Sequence, residues 1–117
     1  MVVQIEDPEP LEELEEICAL PGIDMIFFGP ADFSQGNKCL GRPDSEVDRV
    51  RRLVAKTARK HGKFAGTVGG LGNFDELVKM GYTFVSMGAD VIALTAYFKD
   101  ISDNAQGRKI VDADAIQ

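Results

Sequence analysis

Hydrophobic and polar positions along the chain follow a pattern that predicts a strand and then a helix, repeated four times. The short apolar runs that have the length and composition of buried strands are 2–6, 23–28, 64–68 and 82–87. Between these runs, apolar residues recur at helical spacing, as they do over residues 11–18. The nearly continuous apolar run 23–28 is typical of a parallel strand that is covered on both faces. Strict alternation of strand and helix therefore predicts an α/β fold with parallel strands and right-handed crossovers.

Turn and capping residues predict where these elements begin and end. Asp7, followed by Pro8, predicts the start of the first helix. About ten residues after Phe28 are rich in Gly, Asn and Lys and are predicted to form a loop. Asn73, with Glu76 three residues later, resembles a capping box at the start of a short helix.

The alternating pattern ends near Ile101. A last helix is predicted near 91–99, and the sequence beyond Ile101 turns polar. We therefore expect one α/β domain over residues 1–101 and a polar C-terminal tail over 102–117. Four βα units can form either a small open sheet or half of an eight-unit barrel, and the pattern alone leaves both open.

Composition narrows the class of protein. A net charge of −6 over 117 residues argues against a general nucleic-acid binder and against attraction to an anionic membrane surface. In segment 45–61, basic residues alternate with apolar residues that recur at helical spacing. We therefore interpret the basic residues as the solvated face of a helix rather than as a phosphate-binding patch. The two cysteines, Cys18 and Cys39, make neither a disulfide framework nor a zinc site. Because the sequence shows no signal peptide or transmembrane run, we expect a cytoplasmic protein.

Two carboxylates follow neighbouring predicted strands. Glu6 ends the first strand, and Asp32 follows the second in the turn Gly-Pro-Ala-Asp. Adjacent parallel strands lie about 4.8 Å apart, so both acids could reach one cation, and their hard oxygen atoms favour Mg²⁺ or Mn²⁺. Within the turn, Gly29 allows close backbone approach and Pro30 fixes the chain, so that the amides of Ala31 and Asp32 could face a bound carboxylate. Capping of the following helices is the alternative role for both acids, and the residues leave the two open.

Two other features are weaker candidates. The glycine-rich segment 66–76 precedes a helix start and could bind a phosphate. Its glycines do not follow the order found in nucleotide-binding motifs, so a tight βα turn is the favoured interpretation. His61, the one histidine of the chain, lies at a predicted helix end, away from the carboxyl ends of the strands. We interpret it as a structural residue rather than a catalytic base.

The segments "VVQIED" and "PGIDMIFFGPADFSQG" together resemble the HpcH/HpaI aldolase and citrate lyase family, in particular its 2,4-dihydroxyhept-2-ene-1,7-dioate aldolases. The resemblance continues through "KHGKFAGTVGG" and "GYTFVSMGADVIAL" and covers residues 2 to about 100. It implies a TIM (β/α)8 barrel, of which these four βα units correspond to the C-terminal half. It further implies reversible aldol cleavage of a 2-keto-4-hydroxy acid to pyruvate and an aldehyde, with a divalent cation (Mg²⁺, Mn²⁺ or Co²⁺) as cofactor.

The resemblance also assigns roles to individual residues. Glu6 and Asp32 would ligate the metal, and Gln4 would contact the substrate or metal-bound water. Gly29 and Pro30 would shape the turn, whose Ala31 and Asp32 amides would hold the pyruvate carboxylate. Val68 would line the pocket, a match that rests on position alone.

The chain departs from the family pattern in two ways. Phe33 stands where the family usually has Leu, at a position expected in the core. The catalytic histidine base and the keto-acid-binding arginine belong to the first half of the family's barrel and match no residue here, so the isolated chain is expected to be inactive.

Three functions are therefore compared. The favoured one is a metal-dependent pyruvate aldolase, present here in part and expected to work as a homo-oligomer or with a complementary half. The alternatives are a non-catalytic half-barrel assembly module or gene remnant and, more weakly, a binder of phosphate ligands.

Overall fold

The sheet is parallel, and its strands lie in the order in which they occur along the chain. The computed structural model describes residues 1–41, 43 and 45–106. The strands are β1 (Val2–Ile5), β2 (Met25–Phe28), β3 (Phe64–Gly69) and β4 (Phe84–Met87). They pair in the order β1-β2-β3-β4. In doubly wound sheets the order reverses at a switch point, whereas here each strand adds to the same edge, as in a barrel.

Helices follow every strand. A 3₁₀ turn over Glu9–Leu11 comes before α1. The α-helices are α1 (Leu14–Ala19), α2 (Pro30–Cys39), α3 (Ser45–Lys60), α4 (Phe74–Met80) and α5 (Asp90–Ala105). The sheet and α1–α4 belong to a compact unit of Met1–Met87, and α5 belongs to a second unit that begins at Gly88. Over the described ranges, we find no helix with the length and apolar character needed to cross a membrane.

The core lies on one face of the sheet only. Its strand residues are Ile5, Ile26, Phe28 and Ala65, which are alternate positions that share one face. Helices α1–α4 cover this face with the buried side chains Leu14, Cys18, Phe33, Val50, Val54, Ala55, Ala58 and Leu77. On α3 the buried residues recur at intervals of three or four, which places them on one side of the helix.

The other face of the sheet, called the inner face below, is less covered. On β2 the inner-face residues Met25 and Phe27 are only half-buried, whereas Ile26 and Phe28 are buried, so the expected cover on both faces of this strand is not complete in the described residues. Val2, Phe64 and Phe84 on this inner face are 60%, 57% and 48% exposed. The rings of Phe27 and Phe84 meet edge to face, with centroids 6.3 Å apart. Both residues pair in register with Gly66 of β3, which lies between them. A Cβ atom at Gly66 would lie 2.7 Å from the Phe27 ring and 2.8 Å from the sulfur of Met25, so only glycine fits beneath these side chains.

The segment after β2 is a helix, so the predicted loop there is wrong. α2 begins at Pro30, whose fixed φ suits a first helical position, and it buries Phe33 and Asn37 at a spacing of four. The glycine and asparagine content of the segment suggested a loop, but the packing of this face against α3 outweighs that intrinsic preference.

Capping predictions at two other helices also fail. The first helical turn is a 3₁₀ turn with Pro8 at its N-cap and no side-chain cap, so Asp7 does not cap it. Asn73 precedes α4 but does not cap it by its side chain, because its Oδ1 accepts a hydrogen bond from the Gly70 amide at 2.9 Å. α4 ends at its C-cap residue Gly81, which has a φ of 103° in the left-handed region that favours glycine.

α5 continues through Ala105, beyond the helix predicted near 91–99 and into the first residues of the predicted tail. The rest of the predicted tail, 107–117, lies outside the described residues. The division into a domain over 1–101 and a tail stays a prediction.

Gly69 is expected to be the least replaceable glycine of the β3–α4 turn. A Cβ atom there would lie 2.5 Å from Leu77 Cδ1 and 2.8 Å from Val85 Cγ1. Gly69→Ala should therefore lower the free energy of unfolding in urea by about 1–3 kcal/mol, as overpacking does elsewhere. Gly72→Ala is the matched control, because a Cβ atom at residue 72 would have nothing within 4 Å. Equal stability of the two variants would contradict the packing role of Gly69.

Candidate functional site

The carboxyl ends of β1 and β2 bring Gln4, Glu6 and Gly29 together, and Asp32 lies in the first turn of the helix that follows β2. The Gly29 amide donates a hydrogen bond to the Ile5 carbonyl at 2.9 Å, which carries the β1–β2 ladder one step beyond Phe28. Glu6 follows Ile5 and therefore lies beside Gly29. Glu6 and Gln4 are both exposed and both lie on the inner face of the sheet.

Gly29 leaves little room for a side chain. A Cβ atom at this position would lie 3.1 Å from Gln4 Nε2, 3.2 Å from Glu6 Cβ and 3.6 Å from Glu6 Oε2. The close backbone approach expected for this glycine is thus made toward the two side chains of β1. The φ of Gly29 is −96°, so space rather than backbone conformation is what requires glycine here.

Gln4 holds the Glu6 carboxylate in place. Its Nε2 donates a hydrogen bond to Glu6 Oε2 at 2.6 Å. Because residues 4 and 6 are two apart on one strand, their side chains share a face, and this contact follows from the extended backbone. The sequence had suggested contact of Gln4 with substrate or water, and the bond to Glu6 is the feature that sequence reasoning missed. The spacing of two along a strand is the signal that could have found it.

Asp32 lies in the first turn of α2, three residues after Gly29, and is exposed. It is not the N-cap residue, because that position is Gly29, where no side-chain cap is present. The first turn is fixed by Phe28 and Phe33, which are both fully buried and whose ring centroids lie 5.3 Å apart. The core position expected for Phe33 is therefore confirmed, and its ring anchors the turn that carries Asp32.

The same turn presents unused backbone donors. Within α2, the Phe33 amide bonds to the Gly29 carbonyl at 3.0 Å. Ala31 and Asp32 precede this first helical bond, and Pro30 has no N–H, so helix geometry leaves the Ala31 and Asp32 amides without an acceptor inside the helix. The positive end of the helix dipole lies at the same place.

Val68 and Thr67 occupy opposite faces near the end of β3. Val68 is 45% exposed on the inner face and pairs in register with Ser86. Thr67 is fully buried on the core face and donates a hydrogen bond from Oγ1 to the Phe28 carbonyl at 3.0 Å. Thr67 therefore ties the end of β2 to β3, immediately before the turn that carries Asp32.

The glycine-rich segment 66–76 has the geometry of a packed turn. The Gly70 amide is already bonded to Asn73 Oδ1, and Gly69 lies against Leu77 and Val85. These contacts favour the turn interpretation over a phosphate cradle, since a cradle needs free amides aimed outward.

The donor set at Glu6 and Asp32 suits a hard divalent cation. Both are carboxylates, the ligand type that Mg²⁺ and Mn²⁺ prefer. In the part of the chain that the structure describes, no group of three or more His, Cys, Asp or Glu side chains is placed to hold a metal ion. A cation held by these two carboxylates alone would keep coordination positions for water or substrate.

Comparison with known proteins shows the family of the chain. The family model of HpcH/HpaI aldolase/citrate lyase matches residues 1–96. The chain belongs to this family. The matched range includes every strand and all of the candidate site residues.

Curated relatives in the HpcH/HpaI family are aldolases. The chain is 38% identical over 97 residues to a hydroxypyruvate/pyruvate aldolase of Cupriavidus necator, covering 79% of this chain and 35% of that protein. It is 30% identical over 105 residues to a 5-keto-4-deoxy-D-glucarate aldolase of Klebsiella pneumoniae, covering 88% and 41%. The chain thus spans less than half the length of these relatives.

Solved structures show the same fold. An HpcH/HpaI aldolase from Desulfitobacterium hafniense superimposes with a TM-score of 0.78 at 23% identity, covering 92% of this chain and 43% of that one. Macrophomate synthase gives a TM-score of 0.75 at 20% identity, covering 90% and 38%. The four βα units therefore correspond to part of a TIM barrel, which settles the choice between an open sheet and a partial barrel.

His61 lies away from the candidate site residues. It follows α3, and its Nε2 lies 2.5 Å from Glu15 Oε2 of α1. Lys60 Nζ also bonds Glu15, at 2.9 Å from Oε1. Other basic residues of α3 pair with acids in the same way, Arg51 with Asp48 and Arg52 with Glu76. These ion pairs support the interpretation of His61 as structural and of the basic helix as a solvated face.

Replacing His61 should change the titration of Glu15. The hydrogen bond from His61, followed by that from Lys60, holds the pKa of Glu15 below its ordinary value. Because the pKa of Glu15 is lower in the folded state than in the unfolded state, its pairing with His61 and Lys60 stabilises the fold at pH values above the unfolded-state pKa. This contribution is lost as the pH falls through the folded-state pKa. In His61→Leu, the pKa of Glu15 measured by carboxyl NMR should rise toward its ordinary value. The control Lys56→Gln removes an exposed cation of the same helix and should leave it unchanged. An unshifted pKa in His61→Leu would contradict this pairing.

Proposed function

We propose that this chain carries the metal-binding and keto-acid-binding part of a divalent-metal-dependent pyruvate aldolase. The reaction is cleavage of a 2-keto-4-hydroxy acid to pyruvate and an aldehyde. One observation carries the proposal: the Glu6 carboxylate, held by Gln4, lies against Gly29 at the start of the helix whose first turn bears Asp32.

Each residue has a role that its position supports. Glu6 and Asp32 would hold Mg²⁺, Mn²⁺ or Co²⁺, and Gln4 orients Glu6. The Ala31 and Asp32 amides would bind the carboxylate of the keto acid, because they are free donors at the positive end of α2. Gly29 and Pro30 set the path of this turn, and Val68 would line the inner wall.

The bound cation would supply positive charge where the keto oxygen of pyruvate becomes negative during cleavage. In this proposal the described residues bind and orient the ligand, and none of them is given the role of moving the proton of the 4-hydroxyl group. The one histidine, His61, is engaged with Glu15. We therefore propose that the base and the keto-acid-binding arginine come from outside these residues, and that the isolated chain binds ligand without turnover.

The named relatives support keto acids as the substrate class. They include aldolases for hydroxypyruvate or pyruvate, for 5-keto-4-deoxy-D-glucarate and for 2-keto-3-deoxy-L-rhamnonate. We place the activity in the cytoplasm, because the free thiols Cys18 and Cys39 suit a reducing compartment. We also propose that the chain acts in an assembly, as a homo-oligomer or with a complementary half.

A non-catalytic half-barrel module or gene remnant is the second candidate. The bare inner face of the sheet favours it, since such a face can serve assembly without any chemistry. Cation binding separates the two proposals, because a module selected only for assembly has no need for the Glu6–Asp32 pair.

Removing either carboxylate should abolish most of the metal affinity. Glu6→Gln and Asp32→Asn are each expected to weaken Mn²⁺ binding to the 117-residue chain at least ~10-fold, or about 1.4 kcal/mol, in calorimetry with and without pyruvate. The control Asp75→Asn changes an exposed acid in the first turn of α4 and should bind as the unaltered chain does. If all three variants bind Mn²⁺ equally, the site is not at Glu6 and Asp32.

The Gly29→Ala variant should show the effect of site geometry on Mn²⁺ binding separately from the effect on fold stability. The added methyl group must displace Gln4 or Glu6 by a few tenths of an ångström, because its closest neighbours would be 3.1–3.2 Å away. We expect a several-fold loss of Mn²⁺ affinity, with a smaller loss of unfolding free energy than in Gly69→Ala. Unchanged Mn²⁺ affinity in Gly29→Ala would show that the Gln4–Glu6 arrangement does not matter for binding.

A further inference from the structure

We propose that the Thr67 hydroxyl is a positioning group for the Glu6–Asp32 site, and that it acts by fixing the peptide that joins Phe28 to Gly29. Thr67 touches no ligand in this proposal, because its side chain is fully buried on the core face of the sheet. The inference rests on the proposed function, since it names a residue that sets the affinity of the cation site.

The peptide between Phe28 and Gly29 connects β2 to the turn that bears Asp32. Its N–H, on Gly29, donates to the Ile5 carbonyl of β1 at 2.9 Å. Its carbonyl, on Phe28, accepts a hydrogen bond from Thr67 Oγ1 of β3 at 3.0 Å. The N–H and C=O of a trans peptide point in opposite directions, so this peptide is held from both neighbouring strands at once.

The Thr67 bond lies where the ladder from β2 to β3 runs out of backbone donors. Alternate residues of a parallel strand donate to the same neighbour. Because the Gly29 amide donates to β1, the next donor toward β3 would be residue 30. That residue is Pro30, which has no N–H. At this end of the ladder, the Thr67 hydroxyl therefore adds a bond where the backbone of β2 has no further donor.

A hydroxyl at position 67 is unexpected on packing grounds alone. Among the described strand residues, Thr67 is the one buried polar side chain. Its register partners on the two neighbouring strands are Phe28 and Val85, which are both apolar. Burial of a hydroxyl costs free energy that its hydrogen bond offsets, whereas valine has nearly the same shape and carries no such cost. The hydroxyl is explained if the Phe28 carbonyl has to be held in one orientation.

The position of Gly29 decides how the two carboxylates face each other. A Cβ atom at Gly29 would lie 3.2 Å from Glu6 Cβ, so the turn passes close to Glu6. The Gly29 carbonyl accepts a bond from the Phe33 amide at 3.0 Å, so the start of α2 follows the orientation of Gly29. Asp32 lies in that first turn. A tilt of the peptide before Gly29 thus changes the separation of Asp32 from Glu6, on which binding of one cation by both depends.

Thr67→Val and Thr67→Ser separate the hydroxyl from the shape of the side chain. Thr67→Val keeps the shape and loses the hydroxyl, and we expect it to weaken Mn²⁺ binding about 3- to 10-fold in calorimetry, near the lower end of what hydrogen-bond partners of metal ligands contribute. Thr67→Ser keeps the hydroxyl and loses a methyl group, so it should lose stability in urea but bind Mn²⁺ as the unaltered chain does. A role in folding alone predicts lower stability in both variants and unchanged Mn²⁺ affinity of the folded chain.

Thr83→Val is the matched control, because it makes the same chemical change away from the site. Thr83 Oγ1 donates to the Ala65 carbonyl at 3.4 Å, near the amino end of β3. The Mn²⁺ affinity should be unchanged in Thr83→Val. If Thr67→Val does not fold, Thr67→Ala and Thr67→Ser make the same comparison, because these two side chains differ only in the hydroxyl.

Amide hydrogen exchange gives a readout that needs no metal. In Thr67→Val the Gly29 amide should exchange at least ~10-fold faster than in the unaltered chain, because its peptide is then held from one side only. The Phe64 amide donates to the Asp24 carbonyl at 2.9 Å, at the opposite end of the β2–β3 pair, and is the internal reference that should change less. Thr83→Val should leave the exchange of Gly29 unchanged.

The two readouts distinguish failure of this inference from failure of the proposed function. If the unaltered chain binds Mn²⁺ and Thr67→Val binds it equally well, the positioning role is overturned and the proposed function stands. If the unaltered chain binds no Mn²⁺, the proposed function fails, and the exchange of Gly29 alone decides whether Thr67 fixes the peptide. An unchanged Gly29 exchange rate in Thr67→Val overturns the inference in either case.

Discussion

One-sided burial of the parallel sheet is the constraint on which the rest of this structure depends. Helices α1–α4 seal one face, and every core residue contributed by a strand lies on that face. The inner face bears Gln4 and Glu6 at the carboxyl end of β1, Ser86 on β4, and apolar side chains or glycine at its other strand positions. The sheet therefore divides into a face that holds the fold together and a face that is available for chemistry and assembly, as in TIM barrels.

The candidate site depends on the packed face for its position. Phe28 and Phe33 are buried together on either side of the Gly-Pro-Ala-Asp turn, and Thr67 fixes the Phe28 carbonyl from the core side. These contacts decide where Gly29 meets Glu6 and where the first turn of α2 begins. Residues that never touch a ligand thus set the geometry of those proposed to bind one.

Much of this arrangement could be predicted from the sequence, and the failures have physical causes. Alternating apolar runs located all four strands to within two residues at each end, because burial imposes periodicity directly on the chain. The paired motifs around Glu6 and Asp32 indicated the family. α2 was missed because Gly36 and Asn37 disfavour a helix locally, while the packing of Phe33 and Asn37 against the rest of the fold is a tertiary effect.

Predictions that depended on a side-chain orientation were less successful. Asn73 has the sequence of a capping residue, but its Oδ1 turns back to Gly70. The continuous apolar run of β2 correctly indicated a parallel strand, but it could not show that Met25 and Phe27 on the inner face would be only half-buried. Where a side chain points, and what covers a face, depend on segments distant in sequence, which local patterns do not encode.

Gly66 lies beneath the contact of Phe27 with Phe84, and this placement determines how β2 and β3 can align. A slip of one residue between the strands would turn the core side chains of β3 to the inner face. A slip of two would keep the faces correct but would bring Phe64 or Val68 under the Phe27 ring, where a Cβ atom at position 66 would already lie 2.7 Å from that ring. The absence of a side chain at Gly66 thus favours the observed register of β2 and β3 over the shifted ones.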